Sequence, residues 1–231
     1  MALDPTAALV LEAINWFLFV SVLLTDGSFM LERYASIKGE ILIWPPPSDQ
    51  SWQKKYINFV FGYAQVATPF VAVIDRILSI NRFGIDLWIR LSIGIPMLAF
   101  GGIFAIWGAW KLSWYQSLGG VNKLRTEGPY KYSRNPQYTG GILAYMSAPI
   151  LADSWRGLIV AVFISLWFWL APRTEEPWLH AQFGKAYEEY ANKTPRFLFK
   201  KKFVHTEEKG EVRFDQERAA KARAEKETDA S

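Results

Sequence analysis

Long apolar runs separated by short polar segments fill the first three quarters of the chain. Three of them are long enough to cross a bilayer as a single helix, at residues 6–25, 56–80 and 87–110. Two shorter runs follow at residues 137–152 and 155–171, and the turn between them predicts a helical hairpin. The pattern predicts an all-α integral membrane helical bundle of about five transmembrane helices.

The polar segments predict how this bundle begins and ends. Residues 6–25 lack a basic leader and a small-residue cleavage site, so we expect a retained first helix. Residues 26–55 carry mixed charge and three consecutive prolines, which predicts a loop, either alone or with a short surface helix. Pro172 is expected to end the last run. After it, an apolar stripe at helical spacing predicts an amphipathic C-terminal surface helix lying on the membrane, formed by Leu179, Phe183, Ala186, Tyr187 and Tyr190.

Two features inside the runs predict packing. The third run carries small residues that allow a neighbouring helix to approach closely, namely Gly94, Gly101, Gly102 and Gly108. Asp75 and Arg76 lie near the end of the second run. We interpret them as an interfacial pair whose Arg extends towards the head groups.

Five spans place the polar loop at 111–139, the first connector and the C-terminal segment on one side of the membrane. The short turns at 81–86 and 153–156 fall on the other side. Nearly all Lys and Arg then lie on the loop side, which the positive-inside rule makes cytoplasmic. We therefore expect an integral membrane protein of a bacterial inner membrane or the endoplasmic reticulum, with its site facing the cytoplasm.

Composition supports this class. Of the 231 residues, 51% are hydrophobic, with 11 Trp and 16 Phe, more than a soluble domain needs. The mean hydropathy of only +0.03 reflects a charged, aperiodic end at 200–231, for which we predict a disordered tail. The absence of Cys excludes disulfides, thiolate metal sites and Cys nucleophiles. The net charge of +4 is expected to meet membrane lipids and no nucleic acid.

The first segment whose residues could bind a ligand is GPYKYSRNPQYTGG at residues 128–141. Ser133 or Asn135 can cap the following helix, with Pro136 in its first turn. The helix start and Arg134 suit an anionic group. A capped helix entering the membrane between interfacial Tyr and Arg explains the same residues without any ligand.

The second segment, residues 172–197, begins with Arg173, Glu175 and Glu176 and continues with aromatic residues. A carboxylate can accept from a ribose diol or balance a cation, and aromatic faces suit an adenine ring or a sulfonium. A solvated helix start with acids on its dipole is the alternative. Charge alone leaves both open.

Taken together in this order, the two segments resemble the isoprenylcysteine carboxyl methyltransferase family, which is grouped with the phospholipid N-methyltransferases. The family pattern GPY…RHPxY, an acidic pair, FGxxYxxY and a late Pro is matched between residues 124 and 197. The resemblance implies a transmembrane methyltransferase domain at 1–199, followed by the tail at 200–231. It implies methyl transfer from S-adenosylmethionine to the carboxylate of a prenylated cysteine or a similar lipid-like acceptor.

The resemblance also implies site residues. S-adenosylmethionine would be held by Leu124, Arg125, Tyr130, Asn135, Pro136, Gln137, Tyr138 and Glu175. The candidate substrate clamp is Arg173 or, as its rival, Arg134. Glu176 or a tyrosine would accept the proton of an amine substrate. Two positions depart from the family. Asn135 replaces the usual His, and Arg173 stands two residues before Glu175 instead of about one helical turn.

Other functions stay open at this level: phospholipid N-methylation, an NADPH-dependent sterol reductase, or a non-catalytic membrane protein. We expect no metal, since no HExxH or paired His spacing occurs and the chain has two His. His180 is interpreted as a surface-helix residue.

Overall fold

The computed structural model describes residues 3–38, 52–112 and 123–198, without the side chains of 52–58, 60 and 61. These ranges are helical, and their one strand-like pairing is a single bridge between Arg82 and Ser154. The all-α prediction is confirmed. The helices are α1 (Pro5–Lys38), α2 (Trp52–Leu78), α3 (Leu87–Leu112), a 3-10 turn (Gly128–Lys131), α4 (Pro136–Ala152), α5 (Trp155–Phe183) and α6 (Lys185–Lys193). The predicted tail at 200–231 lies outside the described residues.

In the part of the chain that the structure describes, three helices, α1, α3 and α5, are long and apolar enough to cross a membrane. The other two long elements fill the bundle between them: α2 packs on α1, α4 and α5, while α4 packs on α3 and α5. With 17 residues, α4 is about 25 Å long, the short length expected of the hairpin's first arm. Of about five predicted spans, three therefore meet the length and hydropathy requirement.

The first helix does not end at residue 25, so the loop prediction for residues 26–38 is wrong. α1 continues to Lys38 because its buried face continues through Asp26, Phe29 and Ser36. The extension adds 13 residues, roughly 20 Å of helix. It carries Arg33 to the end of the bundle where α5 passes Thr174.

Nor does the helix that follows the hairpin turn end at Pro172. α5 runs on to Phe183 through both Pro172 and Pro177. Burial of Ala171 and Pro172 holds this stretch in place, and the Thr174 hydroxyl donates to the Ala171 carbonyl at 2.8 Å. Packing and side-chain bonds of this kind let membrane helices tolerate proline. α5 ends instead at Gly184, whose φ is +51°.

The glycine prediction for α3 is confirmed at three of four positions. A Cβ on Gly101 would lie 2.7 Å from the Gly140 oxygen of α4, and Gly94 and Gly108 likewise face side chains of that helix. In turn, a Cβ on Gly140 would lie 2.4 Å from the backbone of Ala105. Gly102 has nothing within 4 Å, so its predicted packing role is wrong.

The Asp75 side chain is completely buried in the bundle and does not share the exposed position of Arg76. Its carboxylate accepts from Arg156 at 2.5 Å, Ser154 at 2.6 Å and Asn15 at 2.8 Å. Arg76 is exposed, as predicted. The cluster ties α1, α2 and α5 together through a buried ion pair.

The two short turns lie together beside this cluster, as the predicted topology requires. Asp153 accepts from the Arg82 side chain at 3.1 Å and from the Ile85 amide at 3.0 Å. The Trp155 amide donates to the Asn81 carbonyl at 3.0 Å. The segments that resemble the methyltransferase family are at the opposite end.

Candidate functional site

The centre of the candidate site is a contact between Tyr138 and Glu175. Tyr138 lies in the first turn of α4, and its hydroxyl donates to Glu175 of α5 at 2.5 Å. The tyrosine ring stacks on Phe168, with ring centroids 5.6 Å apart, and meets the edge of Trp167. The Glu175 side chain is only 13% exposed, so its charge is largely withdrawn from water. The two polar segments therefore meet, as their sequences predicted.

Arg33 of α1 joins this pair and was missed by the sequence argument. Its guanidinium bonds to the Thr174 hydroxyl, lies 3.9 Å from Glu175 and covers the Trp167 ring at 5.4 Å. Arg33 fell in the predicted loop, outside both motifs. One signal could have found it. Buried positions of α1 repeat every seven residues at Asn15, Val22, Phe29 and Ser36, which marks a helix face continuing past residue 25.

Glu176, one residue after Glu175, belongs to a separate ion-pair network. Arg196 grips both of its carboxylate oxygens, at 2.8 and 2.5 Å. Arg134 lies 3.3 Å from the same carboxylate and also donates to the Tyr187 hydroxyl. Two predicted catalytic residues, Arg134 and Glu176, are thus paired with each other. Glu176 as proton acceptor stays a prediction.

Residues 194–198 cross the first motif as a strap, a term we keep for this segment. The Arg134 amide donates to Pro195 at 2.9 Å, and both Ser133 and Asn135 donate side-chain bonds to the Arg196 carbonyl at 3.1 and 3.0 Å. Asn135 occupies the N-cap position of α4, but its side chain makes no capping bond. The capping prediction for Asn135 is wrong because its side-chain amide bonds the strap, and the Ser133 hydroxyl accepts from the Asn135 backbone amide. Pro136 does lie in the first helical turn.

A layer of buried tyrosines lies beneath the strap. The Tyr190 hydroxyl of α6 donates to the Tyr130 carbonyl at 2.7 Å, and Tyr187 packs edge-on to Tyr190. Leu124, Leu179 and Phe183 pack against these rings. The predicted stripe therefore contacts protein through Tyr187 and Tyr190. The rest of α6 exposes its polar face and Ala186.

Burial controls the ionisation of these phenols. It raises the pKa of Tyr130 well above its usual range, an effect strengthened by Tyr190 and Glu175 and opposed by Arg125 and a bond with Gln137. Burial likewise raises the pKa of Tyr190. Both tyrosines stay neutral near pH 7 and can act as hydrogen-bond donors.

Arg173 is not drawn into the centre of the site. Its guanidinium lies 3.6 Å from the centroid of the Trp169 ring and donates to the Trp169 carbonyl, one turn back on its own helix. His180 is exposed, and its nearest described ring is Tyr187 at 6.4 Å. Among the residues that the structure describes, no three His, Cys, Asp or Glu side chains are grouped to hold a metal.

Comparison with known proteins shows what the central segment is similar to. Residues 89–186 match the family model described as phospholipid methyltransferase. The resemblance inferred from the motifs is confirmed over this segment. The family includes isoprenylcysteine carboxyl methyltransferase-like proteins. The matched segment contains Tyr138 and Glu175 but neither Arg33 nor the strap.

The chain is also similar to a protein whose name describes a reductase. The chain is 29% identical over 114 residues to Steroid 5-alpha-reductase DET2 of Solanum lycopersicum. The aligned part covers 48% of this chain and 44% of that relative, so the chain matches less than half of the relative's length. No solved structure matches.

Proposed function

We propose that this protein transfers a methyl group from S-adenosylmethionine to a lipid-like acceptor, most simply the carboxylate of a prenylated cysteine or a similar small lipophilic molecule. The observation that carries the proposal is the Tyr138–Glu175 contact within the segment that matches the methyltransferase family. Through this contact, two motifs that are distant in sequence lie together at one end of the bundle.

The donor set suits S-adenosylmethionine, which supplies an electrophilic methyl group when bound. Glu175 is held by Tyr138 yet stays partly exposed, so it can accept from ribose hydroxyls or face a positive charge. Tyr138 and Trp167 offer aromatic faces of the kind that attract a sulfonium or stack on adenine. We propose that the remaining predicted contacts complete this donor set: Leu124, Arg125, Tyr130, Asn135, Pro136 and Gln137.

The chain's own contribution would be positioning. A carboxylate acceptor is ionised at neutral pH and needs no proton acceptor, which agrees with Glu176 being occupied by Arg196 and Arg134. Alignment of two bound reactants can contribute roughly 7–11 kcal/mol to a reaction of this kind. The apolar exteriors of α1, α3 and α5 would let a lipid tail reach the site from the bilayer.

Two alternatives each have one supporting observation. The family description favours a phospholipid acceptor whose amine is methylated. The similarity to a steroid 5-alpha-reductase favours an NADPH-dependent reductase of a sterol-like lipid.

Calorimetry on the purified, detergent-solubilised protein separates these classes. We expect binding of S-adenosylhomocysteine and none of NADPH. The reverse result would favour the reductase, and no binding of either would reject both enzyme classes. Turnover of a labelled methyl donor with a prenylcysteine analogue and with phosphatidylethanolamine then identifies the acceptor. Glu175→Ala should abolish S-adenosylhomocysteine binding while the exposed-site control Arg76→Gln retains it.

The site is proposed to face the cytoplasm, as positive-inside counting indicates. Because the chain has no native Cys, single cysteines can be placed on a clean background. In intact cells an impermeant maleimide should label Phe83→Cys, at the turn end, and spare Lys131→Cys, at the site end. Labelling of only the second variant would reverse the orientation.

A further inference from the structure

Among the described residues, at least five arginines lie at the site end of the bundle: Arg33, Arg125, Arg134, Arg173 and Arg196. Arg134 and Arg196 both pair with Glu176. Arg173 stacks on Trp169. Within the described ranges, the arginine that lies beside Glu175, the acid that the central contact holds in place, is Arg33.

The Arg33 guanidinium is fixed in position but not saturated. Both polar contacts, with the Thr174 hydroxyl and with Glu175, use the same nitrogen, Nη1. Within the described part of the chain, Nε and Nη2 have no hydrogen-bond partner. The 3.9 Å separation from Glu175 exceeds the 2.7–2.9 Å typical of a charge-assisted hydrogen bond. Donors therefore remain for a ligand.

The surroundings favour binding of an anion by these donors. The side chain is only 12% exposed and is backed by the Trp167 ring, so competition from water is weak. A guanidinium offers a planar fork that matches the two oxygens of a carboxylate. Glu175 next to it can meet a positive charge on the same ligand.

We propose that Arg33 forms a carboxylate-binding subsite of the ligand site, contributed by α1 from outside the family-matched segment. The assignment rests on the proposed methyl transfer. Two ligands of that reaction carry a carboxylate, the amino-acid end of S-adenosylmethionine and the prenylcysteine-type acceptor. The shared chemistry is the carboxylate, and the experiment distinguishes its source.

The test compares ligands with and without the carboxylate in wild type, Arg33→Gln, Arg33→Lys and the control Arg76→Gln. For the cofactor, calorimetry compares S-adenosylhomocysteine with 5′-methylthioadenosine, which lacks the amino-acid end. For the acceptor, inhibition compares a prenylcysteine acid with its carboxamide. A loss of the two hydrogen bonds to a charged group corresponds to about tenfold or more in affinity.

We expect Arg33→Gln to lower the affinity for the acid of one pair about tenfold or more and to leave the affinity for its neutral partner nearly unchanged. Arg33→Lys should lie between Arg33→Gln and wild type, because it keeps the charge without the fork. A loss of affinity in the cofactor pair shows that Arg33 binds the carboxylate of the cofactor. A loss in the acceptor pair shows that it binds the carboxylate of the acceptor. Because this readout is a ratio of two ligands on one variant, a general loss of folded protein does not imitate it.

Equal affinities in wild type and Arg33→Gln for both acids, or equal losses for acids and neutral partners, would overturn the subsite while leaving the proposed function intact. Failure of the wild-type protein to bind S-adenosylhomocysteine would instead reject the proposed function, and the subsite with it. The two failures are therefore distinguishable.

Discussion

The Tyr138 hydroxyl donates to Glu175 at 2.5 Å, across 37 residues of sequence. A phenol held this close fixes the rotamer of the carboxylate and takes part of its charge. The bond is one of several direct contacts between the first and second segments, beside those of Arg134 with Glu176 and of Asn135 with the Arg196 carbonyl.

Tyr138→Phe should therefore weaken S-adenosylhomocysteine binding by roughly tenfold, because the charge-assisted bond that orients Glu175 is lost. Calorimetry measures the change. Tyr145→Phe is the matched control: its hydroxyl is two turns further along α4 and donates to the Gln65 carbonyl at 3.0 Å. Equal effects of the two substitutions would show that Tyr138 has no special link to the ligand.

Glu176→Gln tests whether the second acid holds the strap or transfers protons. We expect about 1–2 kcal/mol less stability, since Arg196 and Arg134 lose a charged partner. Turnover of a carboxylate acceptor per folded molecule should change little. Chemical unfolding measures the stability and steady-state kinetics measure the turnover, with the exposed Glu189→Gln variant as control. A collapse of kcat without loss of stability would make Glu176 catalytic.

Asp75→Ala should destabilise the protein by about 3–5 kcal/mol, because it leaves the Arg156 charge buried and unpaired. Replacing both partners by apolar residues, Asp75→Leu with Arg156→Met, should cost less than the single change. Reversible unfolding in mild detergent measures both. A double variant that is less stable than Asp75→Ala would contradict the ion-pair explanation.

The close approach of α3 and α4 predicts a contrast between two glycine substitutions. Gly140→Ala places a methyl group 2.4 Å from the backbone of Ala105 and should cost about 1–3 kcal/mol through helix separation. Gly102→Ala has open space and should be neutral or slightly stabilising. Thermal unfolding of the two variants checks this. Comparable midpoints would mean that the helices do not pack as described.

Asp153 gives the turn end of the bundle a pH dependence. Burial alone would raise its pKa, but bonds from the Ile85 amide and the Arg82 side chain lower it below its ordinary value of 3.8. A depressed pKa in the folded state contributes stability above 3.8 that is lost as the pH falls through the folded value. We expect unfolding measured between pH 6 and about 3 to show this loss.

Asp153→Asn should remove this loss of stability at low pH. Asparagine tolerates the left-handed backbone at this position, where φ is +61°, so the substitution removes the charge without adding strain. An unchanged acid profile in the variant would assign the pH dependence to other groups.

Helical periodicity identified the bundle, the hairpin and the glycine-mediated contact of α3, because these follow from local spacing of apolar and small residues. The two motifs were also visible locally, and their meeting followed from counting the spans. Where helices end was less predictable. Pro172 and the charges after Thr25 are local signals for a break, yet burial of Ala171 on α5 and Phe29 on α1 keeps both helices intact.

By itself, the sequence determined the membrane class, the family resemblance and the placement of the two polar segments at the same end of the bundle, since each depends on residues in one segment or on span counting. Only the tertiary structure decided which charges meet: Arg33 with Glu175, Arg196 with Glu176 and Arg156 with Asp75. The reason is physical. An arginine pairs with whichever carboxylate the packed helices bring within a few ångströms, and sequence spacing does not encode that distance.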